Sequence, residues 1–127
     1  MTRILTLGVF DCFHEGHLNL LIKLSQLGSL NVGVISDEAV KREKGENRPI
    51  YNENYRRRLI SNLKCVSHSF IVSDFDFSPF IDNNFVIAVG EDQSHFKGIG
   101  LIPSHKLIIL PRTEGISTSD IVKKLEK

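Results

Sequence analysis

Two histidines, His14 and His17, lie directly after the apolar run 4–10 and directly before the apolar run 18–22. This order predicts a strand, a tight turn and a helix, with both imidazoles at the helix start. A helix N-terminus has unpaired N–H groups and partial positive charge, so it attracts phosphate. Imidazole N–H donors there can stabilise a phosphate whose charge changes during a reaction. The simpler alternative is an ordinary helix cap, but Gly16, Asp11 and the preceding strand favour a phosphate-binding turn.

A second segment with similar chemistry, residues 112–119, follows an apolar run and precedes the last helical pattern. Arg112 offers a planar fork of donors for a phosphate. The hydroxyls of Ser117, Thr118 and Ser119 can cap the helix, and the same groups can hold phosphate oxygens. The alternative is a capped helix preceded by a surface arginine. A second phosphate-type turn in the same chain favours the functional interpretation.

These turns need a framework, and the chain supplies apolar runs that alternate with helical patterns. We expect strands at 4–9, 30–35, 66–72, 85–89 and 106–110, and helices at 18–27, 52–63 and 119–125. Residues 41–49 are interpreted as a charged loop, and residues 74–82 as an irregular segment. The alternation predicts an α/β, Rossmann-like, doubly wound fold with a mostly parallel five-stranded sheet and helices on both faces.

Composition limits the broad class. The 127 residues suit one domain, 1–127, and a net charge of +1 gives no bulk attraction to nucleic acid or to a membrane. No apolar run is long enough to cross a bilayer. Cys12 and Cys65 do not make a disulfide framework, so we expect a cytoplasmic protein.

Polar groups follow several of the predicted strands. Asp37 follows the second strand, Glu91 and Asp92 follow the fourth, and Arg112 follows the fifth. Ligands of doubly wound sheets bind beyond the carboxyl ends of the strands, so these groups and the histidine turn are expected to converge. Asp37 could accept a ribose hydroxyl there.

Together the two segments resemble the cytidylyltransferases, within the wider HxGH nucleotidyltransferase superfamily. Residues 8–17 match G-x-F-D-x-x-H-x-G-H, which adenylyltransferases share, and residues 112–118 match the R-T-E-G-I-S-T of the cytidylyl branch. The compact chain is most similar to the members that use glycerol 3-phosphate. The resemblance implies transfer of CMP from CTP to a small phosphorylated alcohol, release of pyrophosphate, Mg²⁺ carried with CTP, and a homodimer.

The resemblance also implies residue roles. His14 and His17 contact the phosphates and stabilise the transition state, Lys44 is the loop cation that reaches both substrates, and Arg112 holds the departing pyrophosphate. Lys41 and Arg48 are alternatives for the loop cation. Arg56 and Lys64 would bind the acceptor phosphate, whereas Arg57 and Arg58 are expected to face solvent. The expected nucleotide contacts are Gly8, Val9, Phe10, Asp11, Gly16, Asp37, Glu91, Asp92, Thr113, Gly115, Ile116, Ser117 and Thr118. Asp11 is also expected to order the turn.

Other functions stay open. Choline phosphate or ethanolamine phosphate could be the acceptor. Residues 44–49 resemble nucleotidyltransferase domains that activate heptose phosphates, so an adenylyltransferase acting on a sugar phosphate is the second hypothesis. A non-catalytic nucleotide-binding module is the third. A zinc site is not expected, because no third ligand has motif spacing beside His14 and His17.

Overall fold

The computed structural model describes residues 2–111. Its five strands are β1 (Arg3–Gly8), β2 (Ser29–Ile35), β3 (His68–Val72), β4 (Phe85–Gly90) and β5 (Leu107–Leu110). Its helices are α1 (Glu15–Ser25), α2 (Asp37–Lys44) and α3 (Glu53–Ser61). Short 3₁₀ turns occupy Ser78–Phe80, Glu91–Gln93, Ile99–Leu101 and Ser104–Lys106.

The sheet is parallel throughout, in the order β3-β2-β1-β4-β5. The chain therefore leaves β1 in one direction through β2 and β3, then crosses over to β4 and β5 on the other side. This reversal opens a crevice at the carboxyl ends of β1 and β4, where open α/β sheets bind ligands. The doubly wound α/β fold expected from the sequence is confirmed.

Alternation along β1 divides the core between the two faces of the sheet. Ile4 packs with residues of α1 and α3, including Leu21 and Ile60. Leu5 and Leu7 pack on the opposite face, where α2 and the segment 75–102 with its phenylalanines cover the sheet. Successive side chains of a strand point to opposite faces, so one apolar strand serves both layers.

The helix α2 was not predicted from the sequence. Residues 41–44, assigned to a loop, form the second half of α2. The Ser36 side chain caps this helix by accepting the Ala39 N–H at 3.2 Å, and Ala39 and Val40 are fully buried. Capping and burial of one short face outweigh the polar composition. Gly45, at φ 98°, ends the helix in a conformation that glycine adopts easily.

Two further observations bear on the expected organisation. The predicted helix 119–125 lies outside the described residues. Over residues 2–111, no helix is both long and apolar enough to cross a membrane.

Candidate active site

The β1–α1 turn is compact because its backbone folds back over the end of β1. Phe10 and Cys12 both adopt positive φ, at 55° and 49°. A Cβ on residue 8 would lie only 2.7 Å from the Phe10 ring, too close for a side chain. The turn therefore needs glycine at position 8. Residues other than glycine rarely adopt this backbone conformation, and such outliers cluster at functional sites.

His14 and His17 cap α1 reciprocally. The Gly16 N–H donates to His14 Nδ1 at 3.1 Å, and the His14 N–H donates to His17 Nδ1 at 3.2 Å. The two rings stack with centroids 3.8 Å apart. Since each Nδ1 accepts a hydrogen bond, each neutral ring carries its proton on Nε2. Capping the helix and donating to a ligand are therefore compatible. Nδ1 of each ring accepts a backbone N–H, and the proton of each ring is on Nε2.

The surroundings favour neutral imidazoles. Burial lowers the pKa of His14. Burial, with a smaller contribution from His14, lowers the pKa of His17 to about 4. Phe10 and Phe13 pack against the His17 ring and supply part of that burial. Within residues 2–111, His14 Nε2 is buried and has no hydrogen-bond partner. A buried N–H of this kind is available to an incoming acceptor oxygen.

Asp11 ties the β1–α1 turn to the segment that follows α2. Its carboxylate accepts the Ile50 N–H at 2.7 Å and the Tyr51 N–H at 3.0 Å, and its side chain is 1% exposed. Arg48 Nε lies 3.8 Å from Asp11 Oδ2. Asp11 therefore holds the backbone of residues 50 and 51 against the β1–α1 turn.

Arg56 is buried, with its side chain 1% exposed, and its guanidinium binds protein groups. Nη1 donates to the carbonyls of Val9 and Ile35, both at 2.8 Å, and Nε donates to the Tyr51 carbonyl at 2.8 Å. Nη2 donates to Asp37 Oδ1 at 2.7 Å. Arg56 therefore joins the ends of β1 and β2 to the starts of α2 and α3. The Asp37 carboxylate expected to meet a ribose is here bound to Arg56.

Lys44 ends α2 among several charges. Although its side chain is solvent-accessible, the surrounding protein desolvates it and lowers its pKa. Repulsion from Arg48 lowers this pKa further, while Asp11 and Asp92 raise it. Charges of the β1–α1 turn and of the segment after β4 therefore both act on Lys44. Its role as the loop cation stays a prediction.

Two features of the site were missed by sequence reasoning. Gln93 accepts the Gly90 N–H at 3.0 Å and donates to the Leu7 carbonyl at 2.9 Å, so it fixes the crevice between β4 and β1. A cavity of about 280 Å³ lies beside the β1–α1 turn, lined by Cys12, Phe13 and Tyr51 among others. Gln93 could have been proposed from the sequence, because it is a polar residue three positions after Gly90, which follows a predicted strand. No local sequence pattern predicts the cavity.

The remaining predicted residues divide by position. Gly8, Val9, Gly16, Glu91 and Asp92 lie at the carboxyl edge of the sheet, as expected. Lys64 lies between α3 and β3, at the opposite edge, because the crossover helix returns the chain there. Arg57 and Arg58 are exposed, as expected. Residues 112–118, with Arg112, Thr113, Gly115, Ile116, Ser117 and Thr118, lie outside the described part of the chain. No group of three or more potential metal ligands comes together within residues 2–111.

Known proteins share both the sequence pattern and the fold. The model of the cytidylyltransferase-like family matches residues 5–124. The bifunctional protein HldE of Helicobacter pylori strain P12 is 33% identical over 98% of this chain, and that of Helicobacter hepaticus is 31% identical over 98%. The chain spans only 28% and 26% of these two relatives.

A solved structure supports the same conclusion. The lipopolysaccharide core biosynthesis protein of Thermoplasma volcanium superposes with a TM-score of 0.69 at 30% identity, covering 91% of this chain and 99% of that one. Its length is therefore close to that of this chain. A family match over nearly all residues, a shared fold and a crevice bordered by paired imidazoles agree with one another, and this chain belongs to the cytidylyltransferase-like family of nucleotidyltransferase enzymes.

Proposed function

We propose that this chain transfers a cytidylyl group from CTP to a small phosphorylated alcohol, with glycerol 3-phosphate as the favoured acceptor. The observation that carries the proposal is the pair of stacked imidazoles at the start of α1, each with Nδ1 accepting a backbone N–H, together with the buried His14 Nε2, which has no hydrogen-bond partner within residues 2–111. CTP is favoured over other nucleotides because residues 112–118 match the cytidylyl branch of the family.

In the proposed reaction, a phosphate oxygen of the acceptor attacks the α-phosphorus of CTP, and the bond between that phosphorus and the oxygen bridging to the β-phosphate breaks. The attacking oxygen is already anionic, so no general base is needed. Pyrophosphate leaves with the bond electrons, and Mg²⁺ bound to the triphosphate helps neutralise its charge. The protein's part is alignment and stabilisation of negative charge.

Each residue then has a physical task. His14 and His17 donate through Nε2–H to phosphate oxygens, and loss of one such donor is expected to raise the barrier by about 3–4 kcal/mol. Lys44 balances charge between the two substrates. Arg112 and the hydroxyls of Ser117 and Thr118 are proposed to hold the β- and γ-phosphates.

A second candidate is adenylyl transfer to a sugar phosphate. Three likenesses favour it: to HldE, to the lipopolysaccharide core biosynthesis protein of Thermoplasma volcanium, and, in residues 44–49, to heptose-phosphate-activating domains. The two candidates share the chemistry at phosphorus and differ in the base of the nucleotide and in the acceptor. A homodimer acting in the cytoplasm is proposed for either.

Pyrophosphate release, measured with CTP and ATP against glycerol 3-phosphate, choline phosphate and several sugar phosphates, separates these functions. We expect turnover with CTP and glycerol 3-phosphate, lost in His17→Gln and kept in His68→Gln, which changes an exposed histidine. Turnover only with ATP and a sugar phosphate would favour the second candidate. CTP binding without pyrophosphate release from any pair would indicate a non-catalytic binding module.

A further inference from the structure

We propose that Arg48 binds the phosphate of the acceptor substrate together with Lys44, and that Arg56 serves as a buried positioning residue instead. This inference rests on the proposed function and adds a residue to its acceptor side. Arg48 comes from the loop between α2 and α3, three residues after Gly45, and its side chain is 21% exposed.

The hydrogen bonds of the two arginines differ. Arg56 donates four N–H groups to three backbone carbonyls and to Asp37, so its fork is committed to the protein. Arg48 Nε, in contrast, is buried and has no hydrogen-bond partner among residues 2–111. Its ion-pair contact with Asp11, at 3.8 Å, is beyond hydrogen-bonding distance. A buried donor without an acceptor is costly, and a phosphate oxygen would satisfy it.

The cations of this region suit a ligand with several acceptor oxygens. Arg48 and Lys44 are near enough to each other that Arg48 lowers the pKa of the lysine, and Asp11 lies close to both. Asp92 also raises this pKa, so two cations and two carboxylates share the region. A phosphomonoester near neutral pH carries nearly two negative charges and several acceptor oxygens, so it can accept from Arg48 and Lys44 together.

The position of Arg48 in the fold favours the acceptor over the nucleotide. The loop between α2 and α3 belongs to the β2 and β3 side of β1. Asp92 follows β4 on the other side. The charges of Asp92 and Arg48 both act on the pKa of Lys44, Asp92 raising it and Arg48 lowering it. A phosphate bound to Arg48 would lie on the β2 and β3 side of β1.

We assign the rest of the acceptor to the cavity beside the β1–α1 turn, whose wall includes Arg56 and does not include Arg48. The 280 Å³ cavity is lined by Cys12, whose thiol pKa is raised by burial and by Asp11 and is lowered by the Arg48 charge. Tyr51 and Phe13 form other parts of its wall. The volume is at the small end for ligand pockets, so it suits a polyol or a single sugar.

The test compares Arg48→Met, Arg48→Lys and a matched control, Arg58→Met, which removes an exposed arginine from α3. In steady-state pyrophosphate release, we expect Arg48→Met to raise the acceptor KM by about tenfold or more, as for loss of a charged hydrogen bond. Arg48→Lys should give an intermediate value, and Arg58→Met should match wild type. The dissociation constant for CTP should stay within about twofold in all three, because Arg48 is on the acceptor side.

A binding readout separates this inference from the proposed function. Calorimetric titration of inorganic phosphate into CTP-saturated protein should give binding in wild type and Arg58→Met and none in Arg48→Met. Unchanged phosphate binding in Arg48→Met, or an equal loss of CTP affinity, would overturn the assignment of Arg48. If CTP does not bind, or no nucleotide and acceptor pair is turned over, the proposed function fails. The same titration on free protein then still decides whether Arg48 binds phosphate.

Discussion

The depressed pKa of His17 makes stability depend on pH in a way that one substitution can isolate. His17 is held neutral in the folded protein, with a pKa of about 4 against 6.5 in a free chain. As pH falls below about 6.5, the unfolded chain binds a proton that the folded protein does not, so stability falls with pH. The contribution is fully present above the unfolded pKa and is lost as pH falls towards the folded pKa.

The size of this effect follows from the two pKa values. Between about pH 7.5 and about pH 5, the lowered pKa of His17 should reduce the free energy of unfolding by about 2 kcal/mol. The substitution that tests it is His17→Gln. Glutamine at the third helical position can accept the residue-14 N–H as histidine does, so the cap is retained while the titrating group is removed.

Urea denaturation at several pH values gives the comparison. Wild type and the control His68→Gln should lose this increment on acidification, and His17→Gln should lose about 2 kcal/mol less than they do. Proton NMR of the His17 ring should give its pKa directly. Equal pH dependence in wild type and His17→Gln would refute the inference that burial keeps this imidazole neutral.

Three further substitutions test the framework of the site. Arg56→Met should destabilise the protein by about 3–5 kcal/mol in urea, since it removes a buried charge that Asp37 and three carbonyls bind; a loss under about 1 kcal/mol would contradict a positioning role. Gly8→Ala should cost about 1–3 kcal/mol, because the Phe10 ring must move; an unchanged melting temperature would show that the turn relaxes freely. Asp11→Asn should speed hydrogen exchange at the amides of Ile50 and Tyr51, and unaltered exchange there would mean that the carboxylate does not order this segment.

Sequence reasoning was most successful where the pattern is periodic. Apolar runs of four to seven residues gave the five strands, because strands buried on both faces are apolar throughout. Capping signals were harder to weigh: Ser36 before Asp37 starts α2, yet the polar surface of residues 41–44 suggested a loop. A short helix owes its stability to packing, which a sequence shows poorly.

The roles of the arginines could not be separated from sequence. Arg48 and Arg56 have the same side chain and lie eight residues apart. The path of the backbone brings carbonyls at the ends of β1 and β2 onto Arg56, whereas Arg48 Nε has no hydrogen-bond partner among residues 2–111. Which carbonyls an arginine meets depends on which strand ends lie next to each other in the fold. Local sequence propensity does not contain that information.

The hydrogen bonds from Ile50 and Tyr51 to Asp11 have a consequence for binding order. These bonds connect the α2–α3 loop to the β1–α1 turn. A ligand that orders the turn should therefore also restrain the loop. Such shared restraint would couple the two affinities. By thermodynamic linkage, if CTP increases the affinity for the acceptor by some factor, the acceptor increases the affinity for CTP by the same factor. We expect synergistic binding that weakens in Asp11→Asn, read as the ratio of acceptor dissociation constants with and without nucleotide. A ratio of one in the wild-type protein would mean that the linkage transmits nothing.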